Sequence, residues 1–130
     1  MSTAPLVSIL TGWIPAQIAG AAADEAIGRA PYNGQIVGCS IIPEAAVTGA
    51  TATKRTFTLV NKGQAGVGTT VLATLDLITT VDLVAFDEKD FTLSASPVVN
   101  EGDVLAVVEV VAGAGTAHSG GQVSVKIARS

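Results

Sequence analysis

A chain of 130 residues with 14% charged residues, a formal net charge of −4 and a single cysteine fits one domain with its own core and no disulfide framework. Its seven basic residues, Arg29, Lys54, Arg55, Lys62, Lys89, Lys126 and Arg129, are scattered, which excludes the basic stripe that direct nucleic-acid binding requires. No run of about 18 apolar residues is present to span a membrane, and the start of the sequence lacks the basic n-region of a signal peptide.

The apolar residues are mainly Ala, Val, Leu and Ile, accompanied by Thr and 14 Gly, a mixture that suits strands and turns. Residues 1–20 form a dense apolar start, with Leu6, Val7, Ile9, Leu10, Trp13 and Ile14. Pro5 and Pro15 argue against a long helix there. The expectation is an N-terminal arm docked on a partner or a first strand packed on its own sheet. Residues 16–30 read as strand–turn–strand, with Asp24 and Glu25 near the turn or in the following strand. Pro31 to Gly34 is a turn, and Gln35 to Ile42 is a strand closed by Pro43. Residues 44–53 read as a loop.

Lys54 to Asn61 alternates. Arg55, Phe57, Leu59 and Asn61 share one face, and Thr56, Thr58 and Val60 share the other. A glycine-rich loop to Gly68 leads into a strand over Thr69 to Leu77, with Val71, Ala73, Leu75 and Leu77 on one face, so the two strands make a hairpin. Phe86 to Phe91 is a charged turn between aromatic anchors, and Phe91 to Leu93 is a short strand. Asn100 to Asp103 is a tight turn. The strand from Asp103 to Val111 is apolar on both faces except at Glu109, which predicts cover on both sides. After a glycine-rich loop over 112–121, Gln122 to Ala128 places Val123, Val125 and Ile127 inward. Short strands separated by turn signals predict an all-β, single-domain β-sandwich of jelly-roll type with an N-terminal arm. Residues 1–20 are the arm or first strand, and residues 21–130 are the sandwich domain.

Chemistry-bearing residues are sparse. His118, the only histidine, lies in the glycine-rich loop and reads as a surface residue, since a metal site needs three or four ligands. Cys39, mid-strand, reads as a buried inert thiol. No Gly-x-Ser-x-Gly elbow occurs. The loop Gly63 to Thr70 lacks the lysine and the following helix of a phosphate loop. Asp87, Glu88 and Asp90, and likewise Glu101 and Asp103, read as exposed turns without the spacing of a calcium loop. Spacing alone leaves a glycosidase carboxylate pair open, although 4% aromatic residues offer few sugar-stacking platforms. Neither an enzyme nor a cofactor-binding protein is expected.

The charged fraction is low against a usual value of about 25%, so part of the surface is expected to lie under another chain. The ordered set Arg29 to Gly38, Ile42 to Gly49, Leu59 to Gly63, Phe86 to Lys89, Glu101 to Leu105 and Gly120 to Val123 resembles a family of small virion proteins of tailed bacteriophages, the head decoration or capsid-surface proteins. The resemblance spans roughly residues 29–129. It implies a non-enzymatic β-sandwich on the capsid exterior, made in the bacterial host cytoplasm. It also implies contact with the major capsid protein and a homo-oligomer, with a trimer favoured. The candidate capsid contact is Leu6, Val7, Ile9, Leu10 and Trp13. Asp87, Glu88, Lys89 and Asp90 are candidates for an outward turn or a subunit contact. The alternative is a phage tail or fibre component, or a glycan-binding module using the loops 44–53, 62–68 and 112–121.

Overall fold

The computed structural model describes residues 6–130. Met1 to Pro5, grouped above with the arm, lie outside the described residues. Ten strands run along the chain: β1 (Val7–Ile14), β2 (Asp24–Arg29), β3 (Gly34–Pro43), β4 (Arg55–Gly63), β5 (Thr70–Asp76), β6 (Lys89–Asp90), β7 (Thr92–Leu93), β8 (Val98–Val99), β9 (Val104–Val111) and β10 (Gly121–Arg129). No helix occurs among the described residues. Two antiparallel sheets enclose one core in a β-sandwich architecture. The first has the order β1-β10-β3-β6, with β8 also paired to β3, and the second has the order β2-β9-β4-β5-β7.

The core follows from the period of two along the long strands. Val123, Val125 and Ile127 of β10 face Phe57 and Leu59 of β4 and Leu105 and Val107 of β9, all fully buried. Burying side chains of this size contributes roughly 1.5–3 kcal/mol each. The alternation in β4 and β10 is the one the sequence predicts. In β5 it is not. Leu59 pairs with Ala73 and Val60 with Val71, so Leu72 is the extra residue of a β-bulge. The bulge shifts the phase by one: Leu72 is buried, and Val71, expected on the same face as Leu75, is exposed. The outer face of β9 is likewise only partly covered, for Val110 lies exposed beside the half-buried Val104 and Val108. A second layer over that strand is absent among the described residues.

The sandwich is closed differently at its two sides. On one side residues 89–99 weave between the sheets. Lys89 and Asp90 pair with β3, Thr92 and Leu93 pair with β5, and Val98 and Val99 return to β3. Phe91, at the crossing, is buried and donates its N–H to Cys39 O (2.8 Å). On the other side β1 and β2 approach so closely that a Cβ on Gly12 would sit 2.8 Å from Ile27 Cδ1 and 3.4 Å from Ile27 Cα. A larger residue there would oblige the Ile27 side chain to shift. Residues 16–30, expected as strand–turn–strand, hold a single bridge at Gln17, a turn at Ala19–Gly20 and then β2, with Asp24 and Glu25 inside the strand.

Candidate interaction surface

Strand β1 is an edge strand of the first sheet, paired along its whole length with β10 from Val7↔Ala128 to Ile14↔Gly121. Its side chains alternate across the sheet. Ser8, Leu10, Gly12 and Ile14 turn toward the core, and Ile14 is fully buried. Val7, Ile9, Thr11 and Trp13 turn outward, with Ile9 at 59% and Trp13 at 52% exposure. Leu6, ahead of the strand, is half exposed. The expected contact set therefore divides. Val7, Ile9 and Trp13 form one outward apolar stripe, with Leu6 exposed just ahead of it. Leu10 packs against the core, and its Cδ1 lies 3.5 Å from the Cβ position of Gly28.

Tyr32 holds the start of the stripe. Its hydroxyl donates toward Ile127 O (2.8 Å) and lies 3.0 Å from Ser8 Oγ and 3.2 Å from Leu6 O. The Arg129 guanidinium sits 5.7 Å from the Tyr32 ring centroid, within cation–π reach. Next to the stripe β10 presents Gln122, Ser124, Lys126 and Ala128, so Lys126 is the one charge among the cross-strand neighbours of the outward β1 residues. From Leu6 to Ala23 the chain carries no charged residue.

The charged segment at 87–90 is partly turn and partly strand. Asp87 N–H donates to Val84 O (3.1 Å), closing a turn, whereas Lys89 and Asp90 are β6, opposite Ile41 and Ser40. Ser40 Oγ donates to Glu88 Oε2 (2.6 Å). These residues lie on the edge of the first sheet remote from β1, so the two expected contact sets do not meet in one patch.

Sequence reasoning missed the main polar cluster, and it placed His118 on the surface. The ring is buried and edge-on to Phe57, with centroids 5.2 Å apart at 79°. His118 Nδ1 accepts the Gly120 N–H (3.0 Å), which assigns the ring proton to Nε2, directed at Glu109 Oε1 (2.7 Å). Arg55 Nη1 donates to the same oxygen (2.7 Å), Nε to Thr116 O (2.6 Å) and Nη2 to Ile18 O (3.3 Å). Among the described residues Glu109 Oε2 has no hydrogen-bond partner. The side chains of Arg55 and Glu109 are 0% exposed, so the cluster is sealed from solutes. Its effect is to tie the 16–20 and 112–120 segments to β4 and β9. Gly120 completes the tie at φ +85, where a Cβ would stand 2.5 Å from Ile14 O. Two signals pointed to this cluster: Arg55 shares a face with Phe57 and Leu59, and Glu109 is the one charge within β9.

Cys39 is buried, and its thiol is pushed up to about 12, first by desolvation and then by the nearby Asp90 carboxylate. Such a thiol is held protonated and unreactive. Among the described residues no cluster of three or more His, Cys, Asp or Glu side chains is placed to hold a metal ion. No protein-family model, curated relative or solved structure matches this chain.

Proposed function

We propose that this chain is a bacteriophage virion structural protein that decorates the capsid exterior and stabilises it by binding the major capsid protein. The observation that carries the reading is the exposed apolar row of Val7, Ile9 and Trp13, with the exposed Leu6 ahead of it, inside a segment without charge. Exposed apolar rows of this kind mark interaction sites, and a partly exposed Trp among aliphatic neighbours suits a hot spot. The resemblance of residues 29–129 to head decoration proteins supplies the partner. Binding only to the assembled shell stabilises that shell by mass action.

A jelly-roll reading of the sandwich belongs to the same proposal. What supports it is the strand order, β1-β10-β3-β6 in one sheet and β2-β9-β4-β5 in the other, the order that two interleaved Greek keys produce. In this reading β1 takes the part of the N-terminal arm and contacts the capsid while paired to its own sheet. The role is structural rather than catalytic, and copies of the chain associate, with trimers favoured by the resemblance.

Co-sedimentation of the purified protein with undecorated phage capsids tests the proposal. Saturable binding is expected, weakened about tenfold or more by Trp13→Ala or Ile9→Asp with the fold intact. Absence of binding to intact capsids would overturn it and favour a tail or fibre component, or a glycan-binding module.

A further inference from the structure

We infer that the open edge of β1 pairs with β1 of a second copy of this chain, antiparallel about a two-fold axis at Leu10, joining the two first sheets into one.

The hydrogen-bond register of β10 shows which backbone groups of β1 are unpaired. Arg129 N–H donates to Leu6 O (2.9 Å), whereas Ser130 N–H donates to Asn33 O (3.0 Å) and Glu44 N–H to Gly120 O (3.0 Å). Alternate residues of β10 therefore face β1 and β3. With Ser8 opposite Ile127, Leu10 opposite Val125 and Gly12 opposite Val123, the backbone groups of Ser8, Leu10 and Gly12 turn toward β10. Those of Val7, Ile9, Thr11 and Trp13 turn to the open side. Among the described residues no strand other than β10 pairs with β1. Strand β2 lies across from β1 on the core side, where Ile27 meets Gly12.

The other edges of the molecule are blunted, and this one is not. Strands β6, β7 and β8 are two residues each. Strand β2 carries Asp24, Glu25 and Arg29 and breaks register at Ile27. Short strands, charges and bulges are the usual protections of a sheet edge. Strand β1 runs for eight residues without a charge, a proline or a register shift.

A row of alternating donors and acceptors at strand spacing is matched by an extended backbone. Self-pairing satisfies the further demand of a two-fold contact, that the surface complement itself. With Leu10 on the axis, Val7 of one copy stands opposite Trp13 of the other, and Ile9 opposite Thr11. Each is a residue whose N–H and C=O face the open edge, so donors meet acceptors in both directions. On the outer face Trp13 then packs over Val7 of the second copy, an aromatic on β-branched pair of the stabilising kind. A charged strand would repel its own image; the charge-free run from Leu6 to Ala23 does not. This pairing uses the backbone edge and leaves the outward side chains as a doubled stripe. It does not depend on the capsid reading, and it predicts a two-fold dimer in place of the trimer the resemblance favours.

Analytical ultracentrifugation of the purified full chain, without capsids, over a range of concentrations is the test. The wild type is expected to pass from monomer to dimer. Ile9→Lys and Thr11→Pro should each raise the dimer dissociation constant about tenfold or more. Val98→Lys, on β8 at the opposite side of the same sheet from β1, should leave it unchanged. Should Thr11→Pro fail to fold, Ile9→Lys at an exposed position still decides. Amide exchange at Val7, Ile9, Thr11 and Trp13 should be slow in concentrated wild type and fast after dilution. A wild type that stays monomeric, or any oligomer whose mass and amide protection ignore the β1 substitutions, would overturn the inference.

Discussion

Arg55 and Glu109 meet at 2.7 Å across the interior of the sandwich, and neither side chain touches solvent. Glu109 Oε1, which accepts from Arg55, also receives His118, while Oε2 has no partner among the described residues. A buried pair of this kind adds little net stability over apolar residues of the same size, but removing one partner strands the other. Arg55→Met should therefore destabilise the protein by about 3–5 kcal/mol in urea unfolding. The combined replacement Arg55→Met, Glu109→Leu and His118→Phe should cost less than Arg55→Met alone. A triple variant weaker than the single one would mean that the ties to Thr116 O and Ile18 O matter more than the charge.

Gly12 sets how closely the two sheets approach at the β1–β2 side. Gly12→Val should cost about 1–3 kcal/mol, the usual penalty of overpacking, because its Cβ would stand 2.8 Å from Ile27 Cδ1 and the Ile27 side chain must shift. Thermal unfolding followed by circular dichroism checks this. An unchanged melting temperature would mean that β1 lifts away at little cost.

Tyr32→Phe removes the hydroxyl that gathers Leu6 O, Ser8 Oγ and Ile127 O at one end of β1. A loss of about 1 kcal/mol is expected in global stability. The sharper sign is local: faster amide exchange at Ser8 and Arg129, with Ile14 and Gly121 at the far end of the pairing unaffected.

Cys39 makes stability depend on alkaline pH with a definite sign. Its thiol holds its proton up to about 12 in the folded chain, against an ordinary value of 9.0 once unfolded. Below the unfolded value both states are protonated and the group contributes no slope. As pH rises from 9.0 toward about 12 only the unfolded chain gives up the proton, so stability falls. The urea midpoint of wild type should decline over this range more steeply than that of Cys39→Ala. A thiol reagent should label the wild type only after denaturant is added.

The strands that carry the core were legible because their alternation is undisturbed. β4 and β10 place Phe57, Leu59, Val123, Val125 and Ile127 where a period of two predicts. Bulges at Leu72 and Val37 were not legible, because an extra residue changes the phase without changing the composition. Of the weaving segment 89–99 the short strand at Thr92–Leu93 was legible, but β6, β8 and the crossing between sheets were not, since two-residue strands carry no periodicity. His118 was misread because its loop is rich in glycine and small residues, a composition typical of surface turns. Its burial depends on Arg55 and Glu109, partners on two other strands that only the tertiary fold brings together. The candidate contact residues were legible as an apolar group, but not which of them face out. That division follows from the pleat of β1, and it turned Leu10 inward.

In the first sheet the last strand, β10, lies between β1 and β3. On the ribosome β1 emerges early and has no neighbour in its sheet until β10 is made, and β3 meets only the two-residue strands β6 and β8 before then. The long pairings of the first sheet thus wait for β10. A chain cut short before Gly121 would leave β1 unpaired, one side of β3 open and the cover of Val123, Val125 and Ile127 missing from the core, so it should aggregate or be degraded. The order of strands thereby makes the whole first sheet depend on the strand made after the other nine.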